Sequence, residues 1–184
     1  PFDQDADGEW IDPGPDGGPG QDDSDRYIEY WNLVFPQFFY TAEGKYDPLP
    51  RPGIDTGMGL ERLAFLLQGA EDNFHTDEFL PIRRAIAAAL PREAGGDPRA
   101  ALAVNAASDH VRALTFALAE GIMPSNEGRG YVLRRLLRRA LTKMHPFGVR
   151  RPFLAQGVDA VVHAMGPRYP ELRPRVGLVK DVIT

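Results

Sequence analysis

The chain is 184 residues long, 43% hydrophobic and 26% charged, with a formal net charge of −5. That size and composition suit one large or two small globular domains and argue against a disordered chain. The absence of cysteine excludes disulfides, thiolate catalysis and cysteine-held zinc, and no run of about 18 apolar residues offers a membrane span.

Residues 3–25 are acidic and carry a Pro/Gly cluster from Pro13 to Gly20, which predicts a mobile loop. Residues 26–41 are rich in aromatic and β-branched types and read as strand, broken near Pro36. Glu43 to Pro52 holds turn residues and predicts the bend of a hairpin that returns through Ile54-Asp55-Thr56. The pattern then becomes helical from about Met58 to Gln68. A second helix is expected from Thr76, as N-cap, to about Leu90, with Asp77 and Glu78 as first-turn acids. Pro91 to Pro98 reads as a linker. A helix follows over about 99–120; Ser125-Asn126-Glu127-Gly128 then offers a cap for a basic helix to about Met144, and two more are expected over 153–165 and 171–183.

Charge is spread unevenly along these elements. Residues 1–50 hold twelve Asp and Glu against Arg26 and Lys45, whereas residues 122–184 hold twelve Lys and Arg against four acids. The C-terminal part, not the whole chain, is therefore expected to meet a polyanion. His75, His110, His145 and His163 are never spaced i and i+4, so no metal site is expected, zinc included. The chain opens without Met and without a basic start followed by an apolar stretch. It is expected to be a fragment without a signal peptide, from a reducing, cytoplasmic setting.

Two segments carry chemistry. In Ile54-Asp55-Thr56-Gly57-Met58-Gly59-Leu60-Glu61-Arg62, glycines at alternate positions let backbone approach a flat ligand, and an arginine one turn into the helix can stack on a base or grip a phosphate. This suggests an ATP-adenine site. It is no dinucleotide fingerprint, because no third glycine follows at the required spacing. The second segment places Arg129, Arg134, Arg135, Arg138, Arg139 and Lys143 on one helix, opposite Leu133, Leu136, Leu137, Ala140, Leu141 and Met144. Its polar face is read either as an RNA-backbone contact or as a solvated face paired with acids from the other half.

Three stretches resemble the alanyl-tRNA synthetases. They are Tyr30-Trp31-Asn32-Leu33-Val34-Phe35 with Gln37-Phe38, then Asp55 to Leu63, which is similar to motif 3 of class II synthetases in its alanine-specific form, and Ser108-Asp109-His110-Val111-Arg112 continuing to Gly121 through Arg135. Their order and separation match as well, over most of residues 26–145. The resemblance implies an α+β fold: a remnant of the class II antiparallel sheet with the motif 3 helix in residues 1–92, then an all-helical tRNA-recognition domain in residues 99–184. It also implies the reaction, in which alanine is activated with ATP and Mg²⁺ and transferred to its tRNA.

By resemblance, Arg62 is the catalytic arginine that stacks on adenine near the triphosphate, with Gly59 beside the ATP. Asp55 holds the alanine ammonium, Asn32 and Val34 line the amino-acid pocket, and Gly57 and Gly59 form its floor. Discrimination by such a pocket is limited, since one methyl or hydroxyl is worth about 1–3 kcal/mol; the family adds an editing domain for this. Asn126 matches an asparagine at the acceptor-stem G·U pair, and Arg129, Arg134 and Arg135 match phosphate-positioning residues. Arg138 and Arg139 are left open.

The sequence departs from the family's pattern as well. Motifs 1 and 2, the editing domain and the oligomerisation region are not in these 184 residues, so the chain is expected not to aminoacylate alone. Two other readings stand beside the ligase: a non-catalytic tRNA-binding paralogue, and a module whose basic helix docks on an acidic protein. Trp31 and Phe35 are expected in a core. Glu61 either supports Arg62 or binds Mg²⁺ indirectly. Asp109-His110 is not expected to be catalytic, having no Ser or Cys nucleophile motif nearby; His110 and Arg112 are expected to pack the helix over 99–120 against the basic one.

Overall fold

A computed structural model describes residues 28–184; the acidic start expected as a loop lies outside the described residues. The chain divides into two compact units, Pro1–Gly69 and Ala70–Thr184. The division falls well before the 91–98 segment, because the helix between them buries Ile82 and Ile86 in the core of the second unit.

In the first unit, β1 (Trp31–Val34) pairs antiparallel with β4 (Asp55–Met58), and β2 (Phe38–Tyr40) pairs antiparallel with β3 (Tyr46–Pro48). The two ladders are the base and tip of one long hairpin. Pro36 lacks an N–H and sits in the gap between β1 and β2, as the sequence suggests. At the tip, Gly44 takes the left-handed conformation (φ 79°) and its N–H donates to the Thr41 carbonyl at 3.0 Å. Helix α1 (Leu60–Gln68) begins two residues later than expected. Met58 is still in β4, and the Gly59 N–H donates to the Tyr30 carbonyl at 2.9 Å, so both prolong the ladder instead. Gly69, left-handed at φ 60°, stops the helix by donating to the Leu66 carbonyl.

A two-stranded ribbon has no second layer to bury its faces. Trp31 and Phe35, expected in a core, are therefore 53% and 61% exposed, and Leu33, Phe38, Phe39, Tyr40 and Tyr46 are exposed with them. Across the strands the Trp31 indole N–H donates to the Thr56 hydroxyl.

The second unit is a helical bundle of α2 (Leu80–Ala87), α3 (Pro98–Ala119), α4 (Gly128–Met144), α5 (Leu154–Met165) and α6 (Val176–Ile183). The long α3 packs against the other four. Its buried side is rich in small residues, Ala100, Ala103, Ala107 and Ser108, which let neighbouring backbones approach closely. Among the described residues no helix is long and apolar enough to cross a membrane.

Two helix starts in the second unit differ from expectation, and a proline explains each; α2 also ends at Ala87, short of the expected Leu90. Thr76 does not cap α2: its hydroxyl donates to the Asn73 carbonyl at 2.9 Å. Pro81 cannot donate to Asp77, so regular helix is delayed to Leu80. Likewise Pro174 divides the stretch expected as one helix into a 3₁₀ segment, Pro170–Arg175, and α6. Asp77 and Glu78 lie before α2, and Glu78 accepts from Arg168 at 2.7 Å.

Asp97 caps α3 by accepting from the Arg99 N–H at 2.8 Å. The hydrogen bond from the Arg99 guanidinium, with that from its N–H, holds the Asp97 carboxyl below its usual range. Its contribution is therefore complete above the ordinary carboxylate pKa and is lost as pH falls through the lowered one.

Gly157 of α5 marks a close crossing with Ile86 and Val111. A Cβ there would stand 2.8 Å from Ile86 Cδ1 and 3.0 and 3.1 Å from the Val111 methyls. Gly157→Ala is expected to destabilise by about 1–3 kcal/mol through overpacking. Urea unfolding followed by helical circular dichroism checks this, and an unshifted midpoint would contradict the packing.

Candidate functional site

The register of β1 and β4 assembles the residues singled out in the hairpin. Asn32 lies opposite Gly57, and Val34 opposite Asp55. Because side chains alternate along a strand, Asn32, Val34, Asp55 and position 57 share one face, while Trp31, Leu33, Thr56 and Met58 share the other. Directly opposed positions are about 4.5–5.5 Å apart at Cβ, so an amide, an isopropyl group, a carboxylate and a bare backbone patch form one compact surface. A Cβ on Gly57 would stand 3.8 Å from Asn32 Oδ1. The missing side chain thus leaves space beside the amide rather than relieving a clash. All four positions are solvent-exposed.

Arg62 lies in the first turn of α1 and is exposed. Its guanidinium donates through Nη1 to the Glu29 carbonyl. A Cβ on Gly59 would meet Arg62 Cδ at 3.3 Å and its Cβ and Cγ at 3.4 Å. Glycine at 59 therefore lets the Arg62 stem lie against the backbone, leaving the flat guanidinium available to stack on a ring. Among the described residues no group of three or more His, Asp or Glu side chains converges as an all-protein cation site.

In the helical unit, α4 buries Gly130, Leu133, Ala140 and Met144. Leu136 and Leu137 flank this stripe; Leu141, expected within it, is 44% exposed at its edge. On the opposite side Asn126, Tyr131, Arg134, Arg135 and Arg138 line a shallow concavity of about 370 Å³. Three residues singled out in the sequence, Asn126, Arg134 and Arg135, come together here, and Arg138, left open above, joins them. Arg129 is exposed in the first turn, outside the lining. Among the described residues none of Arg129, Arg134, Arg135, Arg138 and Arg139 has a carboxylate within salt-bridge distance.

The expected cap of α4 takes a different form. Glu127 occupies the N-cap position without a side-chain cap bond, while the Ser125 hydroxyl donates to the Glu127 carbonyl at 2.8 Å. Asn126 accepts at Oδ1 from Arg134 Nη1.

His110 is buried on α3, with Asp109 Oδ2 3.4 Å from Nδ1 but no hydrogen bond at either ring nitrogen. Arg112 stacks over the Phe79 ring at 4.3 Å, just before α2.

Sequence reasoning missed two residues here. Tyr131 is half exposed in the concavity; its i, i+3 and i, i+4 spacing to Arg134 and Arg135 was the available signal. Gly130 is buried because the 123–125 backbone lies on it: a Cβ would meet the Met123 carbonyl oxygen at 2.3 Å and Ser125 Oγ at 2.3 Å.

Comparison with known proteins identifies the family. The family described as "tRNA synthetases class II (A)" matches residues 4–184. The alanine–tRNA ligase of Geobacillus thermodenitrificans is 48% identical over 161 residues, 88% of this chain and 18% of that protein. That of Desulforudis audaxviator is 50% identical over 166 residues, 90% of this chain and 19% of that protein. That of Dinoroseobacter shibae is 47% identical over 176 residues, 96% of this chain and 20% of that protein. The chain thus spans about a fifth of the length of these curated relatives. With its mixed architecture of two small antiparallel sheets and six helices among the described residues, the chain belongs to the class II (A) tRNA synthetase family.

Proposed function

We propose that this chain is the back part of the aminoacylation module of an alanine–tRNA ligase, acting in the cytoplasm. The hairpin and α1 belong to the catalytic part, and the helical unit recognises tRNA. The observation that carries the reading is the gathering of Asn32, Val34, Asp55 and Gly57 on one face of the β1–β4 ladder.

That face suits alanine. The Asp55 carboxylate accepts the substrate ammonium, Val34 meets the methyl, and the glycine at 57 leaves a floor against which only a small side chain fits. The alanine carboxylate attacks the α-phosphorus of ATP and pyrophosphate leaves, giving the mixed anhydride. The 3′-terminal ribose hydroxyl of the tRNA then attacks the anhydride carbonyl, and AMP leaves. Arg62 lies over the adenine and offsets charge on the triphosphate. Mg²⁺ accompanies the ATP phosphates, as this ion usually does in the absence of an all-protein cage. Motifs 1 and 2 lie outside these 184 residues, so the reaction is assigned to the complete module and not to this chain alone.

The helical unit carries the second half of the reading. Asn126 faces the acceptor-stem G·U pair, and the arginines of α4 follow the RNA backbone. Stem–loop RNAs that differ only in a G·U or G·C pair, titrated against the chain, test this. Asn126→Ala is expected to lower the preference for G·U by about tenfold, as loss of one well-placed hydrogen bond does. An unchanged preference would remove Asn126 from recognition.

A further inference from the structure

The bond between Arg134 and Asn126 has a direction, and the direction restricts what Asn126 can read. A carboxamide offers an acceptor on one side and two donors on the other. Arg134 Nη1 donates to Oδ1. The flipped amide would set its NH₂ against a guanidinium N–H, two donors facing each other, so only one orientation is compatible with the arginine. The NH₂ group is thereby turned away from Arg134, and no partner for it is present among the described residues. Both residues line the same concavity. They are eight positions apart, so Arg134, two turns into α4, reaches back to hold a side chain in the loop before the helix.

We propose that Arg134 is a positioning residue that fixes the Asn126 carboxamide as a hydrogen-bond donor towards RNA. The inference rests on the reading above, in which Asn126 faces the acceptor stem. It deepens that reading by naming the ligand chemistry: Asn126 takes an acceptor of the shallow RNA groove, such as a pyrimidine O2, a purine N3 or a ribose 2′-oxygen, and not an exocyclic amino group. It also reassigns Arg134, which resemblance alone places among the phosphate contacts.

Two substitutions separate donor from charge. Arg134→Gln keeps an N–H donor and removes the charge; Arg134→Met removes both. In the ¹⁵N-labelled full chain without RNA, the heteronuclear NOE of the Asn126 side-chain NH₂ is expected to stay near backbone values in the parent and in Arg134→Gln. In Arg134→Met it is expected to fall to that of a free side chain. With stem–loop RNA, Arg134→Met is expected to lose the G·U preference to the same roughly tenfold extent as Asn126→Ala. The double variant should lose nothing further, and the salt dependence should be unchanged. An Asn126 NH₂ that stays ordered in Arg134→Met would overturn the proposal. So would a log–log salt slope shallower by about 0.7 to 0.9 in both variants with preference intact, since that is the mark of a phosphate contact. If Arg134→Met frees Asn126 but the parent itself does not distinguish G·U from G·C, the acceptor-stem reading fails and the donor assignment falls with it. The intramolecular lock would remain.

Discussion

Replacing Arg135, Arg138 and Arg139 together by Gln is expected to weaken acceptor-stem RNA binding, in moderate salt, by on the order of tenfold for each phosphate left without its arginine. The slope of log affinity against log salt should become shallower by about 0.7 to 0.9 for each such phosphate. The expectation follows from what these side chains lack. None has a carboxylate partner among the described residues, and like charges three and four positions apart on one helix repel, a repulsion that is offset when a polyanion docks. For the same reason the triple variant should fold as well as the parent. The stripe that anchors α4, with Leu133, Ala140 and Met144 buried, is untouched. Equal thermal midpoints with a flattened salt response would assign the helix to RNA. A parent chain whose binding ignores salt would refute that assignment, and preferential capture of an acidic protein would favour the interaction-module alternative.

The helices of the second unit were largely legible in the sequence. α3, α4 and α5 end within a residue or so of their expected limits, since apolar periodicity and a glycine just past the last helical residue are local signals. The limits of α2 and α6 were not, because there a proline outweighs an otherwise helical pattern: Pro81 withholds one hydrogen bond at the start of α2, and Pro174 makes the entry to α6 a 3₁₀ segment.

In the hairpin, a two-residue spacing puts Asn32 and Val34, and likewise Asp55 and Gly57, on one face of their own strand. That the two faces coincide depends on Asn32 pairing with Gly57, and a shift of one residue would put the pairs on opposite sides. Exposure of Trp31 and Phe35 was illegible for another reason. Aromatic strand residues signal that burial is wanted, and the sequence of one ribbon does not say what would cover it. Non-local contacts set the remaining limit. Nothing in a glycine one turn into a basic helix announces that the 123–125 backbone rests on it.

That glycine gives the sharpest test of how fold and recognition are joined. Gly130→Ala is expected to cost about 1–3 kcal/mol of stability and, separately, to reduce the G·U preference by about tenfold, as Asn126→Ala does. The added methyl would stand 2.3 Å from the Met123 carbonyl oxygen, 2.3 Å from Ser125 Oγ and 2.9 Å from the Ser125 nitrogen. A hydroxyl can rotate away, but two backbone atoms cannot, so the 123–125 segment must lift from the helix. Asn126 is next in the chain and moves with it. Its bond to Arg134 spans from the loop to the helix, and a lifted loop breaks that geometry even though neither partner is altered. Gly157→Ala is the matched control: it overpacks the crossing of α5 with Ile86 and Val111, with a comparable stability cost and no displacement of the 123–126 loop. The two variants should therefore unfold at similarly lowered urea concentrations, yet only Gly130→Ala should lose the distinction between G·U and G·C stems. If Gly130→Ala keeps that distinction, the placement of Asn126 does not depend on the close seating of its loop. If both variants lose it, the preference reports general stability and not the local geometry at the head of α4.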